Sequence, residues 1–292
     1  MKVEVSDIPL FWSAYDLAAG RTTQERQAIF DTEYLGKGSA GLRDFWISRI
    51  ESSEQLVREI DRRPRYYQAL REVSRQAPAQ VEAIQVSCRK ILGLIEDAVL
   101  ADTFLLIGRM SSGGTVSNAG LLIGVDMFGL SDQTPMDELS TWHRQVLRSP
   151  SALPRIVLHE LVHANQYYSQ PGTLLSECIK EGACDFVVTL LLGPHDSIHH
   201  RYGREHEAAL WERFRREMHI QDISNWLCEG TNAKDRPADL GYFIGHQICS
   251  AYYSRQRDGS QAIREMLRIQ DFEQFLEQSQ YAGVAPSLSG AL

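Results

Sequence analysis

Long apolar runs are missing from this chain of 292 residues. Nowhere does it hold the roughly 18–20 consecutive apolar residues that a membrane-crossing helix needs, so no such helix is expected. Positive charge is also short: 30 Lys and Arg stand against 38 Asp and Glu, a net charge of −8. No Lys/Arg run is dense enough to neutralise a phosphate backbone, which sets nucleic-acid binding aside. The opening MKVEVSDIPLFWSAYDL holds no apolar h-region and no small-residue cleavage site. No secretory signal is read there, and a cytoplasmic location is expected, a trimmed secreted form being the alternative. Cysteine is scarce and odd in number: Cys88, Cys178, Cys184, Cys228 and Cys249, with no C-x-x-C. That argues against a disulfide framework, and the thiols are expected to be free and buried, in a reducing compartment. Internal repeats, low-complexity tracts and linker-like composition are absent as well.

What remains is ordinary globular material, 43% apolar and 23% charged, enough for a sizeable core. Residues 1–98 read as a helical region. Ser6 or Asp7, Thr22 or Thr23, and Ser52 or Ser53 stand where helix caps belong. Arg62-Arg63-Pro64-Arg65 interrupts one helix and reads as a solvated basic face. Residues 99–192 form a second region. It opens with two β-leaning apolar runs, Val99–Ile107 and Leu121–Phe128, joined by a Gly/Ser-rich stretch. These predict an antiparallel hairpin with a long connection. That connection is either a bare hairpin tip or the neighbour of a sheet edge to which an extended peptide could add. Residues 193–292 are again helical, ending in a loosely held tail, GVAPSLSGAL. The fold class is α+β, mostly helical, with a small antiparallel sheet, arranged as one compact unit.

The chemistry concentrates in Pro154–Tyr168, PRIVLHELVHANQYY. His159 and His163 are four apart and share a helix face, so both imidazoles can reach one metal ion, with Glu160 beside them as a base. Ile156, Val157, Leu158, Leu161 and Val162 surround them at helical spacing, and Pro154 suits the helix's first turn. Gln170-Pro171-Gly172 stops it. No His follows at the H-x-x-G-x-x-H spacing, so a third ligand has to come from elsewhere. The next apolar helix, about 173–192, carries Glu177, Glu181 and Asp185 one turn apart on one stripe. Glu181 is assigned as the third zinc ligand, with Glu177 as its competitor. Asp185 would accept a hydrogen bond from the non-ligating nitrogen of a ligand histidine. Tyr242 and His246, one turn apart on a late helix, could donate to an oxyanion. The reading as a packed aromatic and a satisfied core histidine is preferred for both. His195, His199 and His200 read as a polar loop rather than a second metal site.

His159-Glu160-x-x-His163 followed by Glu181-Gly182-Ala183-Cys184-Asp185-Phe186 resembles the gluzincin pattern. More closely, the chain is similar to the bacterial family of predicted zinc-dependent proteases related to gliding-motility lipoproteins. The likeness extends to Asp7–Asp16, to the Ser111–Gly120 loop running into Leu121–Phe128, and to Gly241-Tyr242-Phe243-Ile244-Gly245. It implies a gluzincin-like zinc metallopeptidase core. In it, His159, His163 and Glu181 hold Zn2+, and Glu160 is the general base acting on a peptide or protein substrate. The lipoprotein members carry an N-terminal lipid anchor, whereas no corresponding Cys or signal is read here. Two other readings stay open: a zinc hydrolase of a non-peptide amide or modified peptide, and a non-catalytic, metal-stabilised binding protein.

Overall fold

The computed structural model describes residues 1–168 and 172–284. Ser169, Gln170, Pro171 and residues 285–292 of the tail lie outside the described residues. The chain divides into two compact units, residues 1–89 with 99–164, and residues 90–98 with 165–292.

The first unit holds eight α-helices among its described residues: α1 (Asp7–Leu17), α2 (Thr23–Ile29), α3 (Ala40–Phe45), α4 (Ser53–Arg62), α5 (Pro64–Ser74), α6 (Val81–Arg89), α7 (Thr141–Val146) and α8 (Leu153–His163). The caps follow local chemistry. Thr22 and Glu25 form a reciprocal capping box at α2, and the Ser52 side chain accepts from Gln55 N–H at α4. At α1 the Ser6 side chain makes no cap bond. Asp7 instead accepts from both the backbone N–H and the hydroxyl of Ser39. Pro64 forces Arg63 out of the helical region (φ −134°, ψ 53°), separating α4 from α5. The core is aromatic: Phe11 of α1 meets Phe30, Tyr34 and Tyr67, all of them fully buried.

Against these helices lies a four-stranded mixed sheet, order β1 (Val3–Glu4), β2 (Thr103–Leu106), β4 (Gly120–Gly124), β3 (Gly114–Ser117). The expected hairpin between the two apolar runs is corrected here. β2 and β4 pair in parallel, Thr103 opposite Leu121 and Leu106 opposite Gly124. The antiparallel partner of β4 is β3, Gly114 opposite Ile123 and Ser117 opposite Gly120. β3 comes from the stretch read as a flexible connection. A parallel pair needs a crossover, and residues 107–119 supply it, with Thr115 and Val116 as the β-favouring residues inside it. The second run is a strand only to Gly124, because Val125–Phe128 turns into a 3-10 helix. β4 is buried along its whole length, as a central strand should be, whereas β3 is an exposed edge.

The basic face at residues 62–65 is solvated at Arg62 and Arg65, as expected, and is corrected at Arg63. Arg63 is buried: it pairs with Glu59, donates to the Glu138 carbonyl and meets His143 Nδ1 at 3.4 Å. A guanidinium can be buried only with such partners, and two of them come from residues 75 and 80 positions away.

The second unit holds five helices among its described residues: α9 (Leu174–Leu192), α10 (Ile198–Glu217), α11 (Leu240–Tyr253), α12 (Gly259–Met266) and α13 (Phe272–Ser279). Thr173 caps α9 through Ser176 N–H, and Gly193 ends it with φ +86°. α9 and α11 cross in backbone contact at Gly182 and Gly245, where any side chain would overlap main-chain atoms of the partner helix. Cys88, Cys178, Cys184 and Cys249 are buried as expected, while Cys228 is exposed.

Candidate metal centre

α8 presents its motif as the spacing requires. Pro154 sits in the first turn, and Val157, Leu158, Leu161 and Val162 are fully buried. The rings of His159 and His163 meet edge to face, centroids 4.9 Å apart. His159 and Glu160 are each 6% exposed, and His163 is half-buried. Two imidazoles side by side on a buried helix face, with a carboxylate between them in sequence, fit zinc, which takes nitrogen and oxygen donors. The Glu160 carboxylate lies against β3: a Cβ on Gly114 would stand 2.5 Å from Glu160 Oε1. Glycine there lets the edge strand approach the motif helix.

The segment leading into β3 is tied down by buried side chains. Asp126 accepts from Gly108 N–H (2.7 Å) and Met110 N–H (2.5 Å). Tyr67 donates to Gly108 O and Tyr34 to Ile107 O. His143 pairs through Nε2 with Met110 O (3.0 Å) and through Nδ1 with Ser140 Oγ (2.7 Å). Burial pushes the Asp126 carboxyl up to about 6 and holds His143 down to about 4. Sequence inspection missed this network. Its members stand singly in the chain, and nothing but tertiary packing brings them together.

The remaining predicted residues lie in the second unit. Glu181 is half-buried on α9. Glu177, its competitor, pairs with Lys180 at 2.9 Å. Asp185, 2% exposed, accepts from His200 Nε2 at 2.8 Å. His195 Nε2 stands 3.3 Å from its other oxygen, and His199 Nε2 stands 3.8 Å away. The polar-loop reading of these histidines is therefore corrected. His200 is 2% exposed on the first turn of α10, and burial holds it well below the usual histidine range. The signal that could have found them is a cluster of histidines directly after the Gly193-Pro194 helix stop. Tyr242 lies against the His199 ring, centroids 5.4 Å apart. His246 packs edge to face on His200 (4.9 Å), with Nε2 3.3 Å from Thr189 Oγ1.

The family model described as gliding motility protein GldB matches residues 48–283. The chain belongs to the GldB family. The match takes in both the α8 motif and the α9 acids, and it omits the likeness noted at Asp7–Asp16. Membership corrects the cytoplasmic expectation, because GldB is a lipoprotein family held at the cell envelope. No curated protein and no solved structure matches the chain. The GldB description names motility and no reaction, so any chemistry has to be argued from the residues.

Proposed function

We propose that this GldB-family chain is a zinc-dependent metallopeptidase with a gluzincin-type core. The observation that carries the reading is the α8 face. His159 and His163 stand ring to ring at 4.9 Å, beside a buried Glu160 that lies against an edge strand. His159 and His163 would hold the metal, with Glu181, assigned from the sequence pattern, as third ligand. Bound zinc would supply a Lewis acid and a water of pKa about 7. Glu160, placed between the two histidines in sequence, would take a proton as a carbonyl is attacked and return it to the leaving amine. β3 has no strand beyond it among the described residues, so an extended peptide could add along its outer edge. The Asp126–Tyr67–His143 network holds the entry to that strand.

The test is Glu160→Gln in the full chain. Zinc should stay near one equivalent at the α8 site while peptide hydrolysis falls by at least about a thousandfold. Wild-type protein that carries no zinc with its fold intact would overturn the reading. A second reading, a metal-stabilised protein without turnover, is favoured by the motility description of the family. Zinc-loaded wild type that cleaves nothing in a peptide library or an amide library would select it. Cleavage in the amide library alone would select a non-peptide hydrolase.

A further inference from the structure

We propose a second divalent-metal site, built by Asp185, His195 and His200 with His199 beside it. All its residues lie in the second unit, so it does not rest on the reading of α8. The ligand atoms of Asp185, His195 and His200 lie within 4.8 Å of one another. They arrive from three pieces of chain: the fourth turn of α9, the irregular stretch after Gly193, and the first turn of α10.

A hydrogen-bond cluster accounts for only part of this arrangement. Three imidazole Nε2 atoms converge on one buried carboxylate. Of these three imidazoles, His200 hydrogen-bonds to it at 2.8 Å, whereas His195 stands at 3.3 Å and His199 at 3.8 Å. His199 Nε2 is buried and has no hydrogen-bond partner. A buried nitrogen left in that state is costly, and it stands at the edge of the three-residue cluster. Two or three imidazoles with one carboxylate suit Zn2+ and its late first-row neighbours rather than Ca2+ or Mg2+, which prefer all-oxygen shells.

The surroundings hold the donors still. His246 packs edge to face on His200, its own Nδ1 pairs with Gln247 Oε1 at 3.0 Å, and Gln247 donates to Glu207. Tyr281 donates to the same Glu207 oxygen. His195 and His200 stack nearly parallel, centroids 4.7 Å apart. A site fixed from behind in this way keeps its ligands in place before the metal arrives.

The experiment counts zinc in the full chain by mass spectrometry after equilibrium dialysis. His159→Ala/His163→Ala, which removes the α8 ligands, should still bind about one equivalent. Adding His195→Ala and His200→Ala should bring it to zero. Zinc-free His159→Ala/His163→Ala protein, or a quadruple variant that binds as much as the double one, would overturn the proposal. Because His200 is buried, a milder variant guards against loss of fold. His195→Asn, in the otherwise native chain, should weaken one class of Co2+ site at least about tenfold in a visible-absorption titration. An unchanged titration would count against the site equally.

Discussion

At the residue scale, His143 shows how much a single buried group can do. It joins Met110, Ser140 and Arg63, of which Met110 and Arg63 are far away in the chain. Burial, helped by the Arg63 charge, holds its folded value down to about 4, against 6.5 when free. A depressed value means that its contribution is complete above pH 6.5 and is lost as pH falls toward 4. Roughly 3 kcal/mol or slightly more is at stake, at about 1.4 kcal/mol per tenfold change in proton affinity. Asp126 opposes it. Its carboxyl, raised by burial to about 6, contributes most below its unfolded value near 4, and that contribution is lost as pH rises through 6. The two effects partly cancel in the native chain, so His143→Gln isolates that of the histidine. Stability at pH 7 minus stability at pH 4.5, read from urea unfolding, should be lower in the variant than in the wild type by most of that energy, which leaves the opposite trend of Asp126 uncovered. Parallel behaviour would show that His143 has no such role.

At the element scale, the crossing of α9 and α11 rests on Gly182 and Gly245. A Cβ at Gly182 would overlap the Gly245 and His246 backbone, and one at Gly245 would overlap the Cys178 carbonyl. Backbone cannot rotate aside as a side-chain tip can, so the helices would have to part. Gly245→Ala should therefore cost about 3 kcal/mol or more, read as a fall in thermal midpoint. Gly93→Ala, with nothing within 4 Å of the added carbon, should leave the midpoint nearly unmoved. Gly182 and Gly245 both lie in stretches that stood out in the sequence, Glu181–Phe186 and Gly241–Gly245. Their physical meaning, a close helix crossing that carries Glu181 and Asp185 on α9, becomes visible only once the two helices are in place.

At the scale of the whole molecule, family membership and composition act together. No helix among the described residues is long and apolar enough to cross a membrane, yet the family is one of lipoproteins. Protein expressed in its native host should sediment with the cell envelope and be released by detergent rather than by high salt. Recovery in the soluble fraction would contradict the envelope assignment.

Much of this was legible in the residues alone, for a local reason. The α8 motif, the caps at Thr22 and Ser52, the break at Pro64 and the stripe on α9 depend on neighbours within one or two turns. Spacing of 3.6 residues per turn therefore determines them before any packing occurs. Tertiary structure decided what depends on distant partners. Parallel pairing of β2 with β4 needed a crossover whose partner strand hid in a Gly/Ser stretch. Arg63 could enter the interior only because Glu59, Glu138 and His143 meet it there. Likewise, three histidines that look like a solvated turn became a largely enclosed cluster, with His200 buried, because α10 folds back against the Asp185 face of α9. Local periodicity carries no information about which side chains will converge after the chain turns back. The candidate pair on α8 was therefore readable from sequence, and the candidate cluster on Asp185 was not.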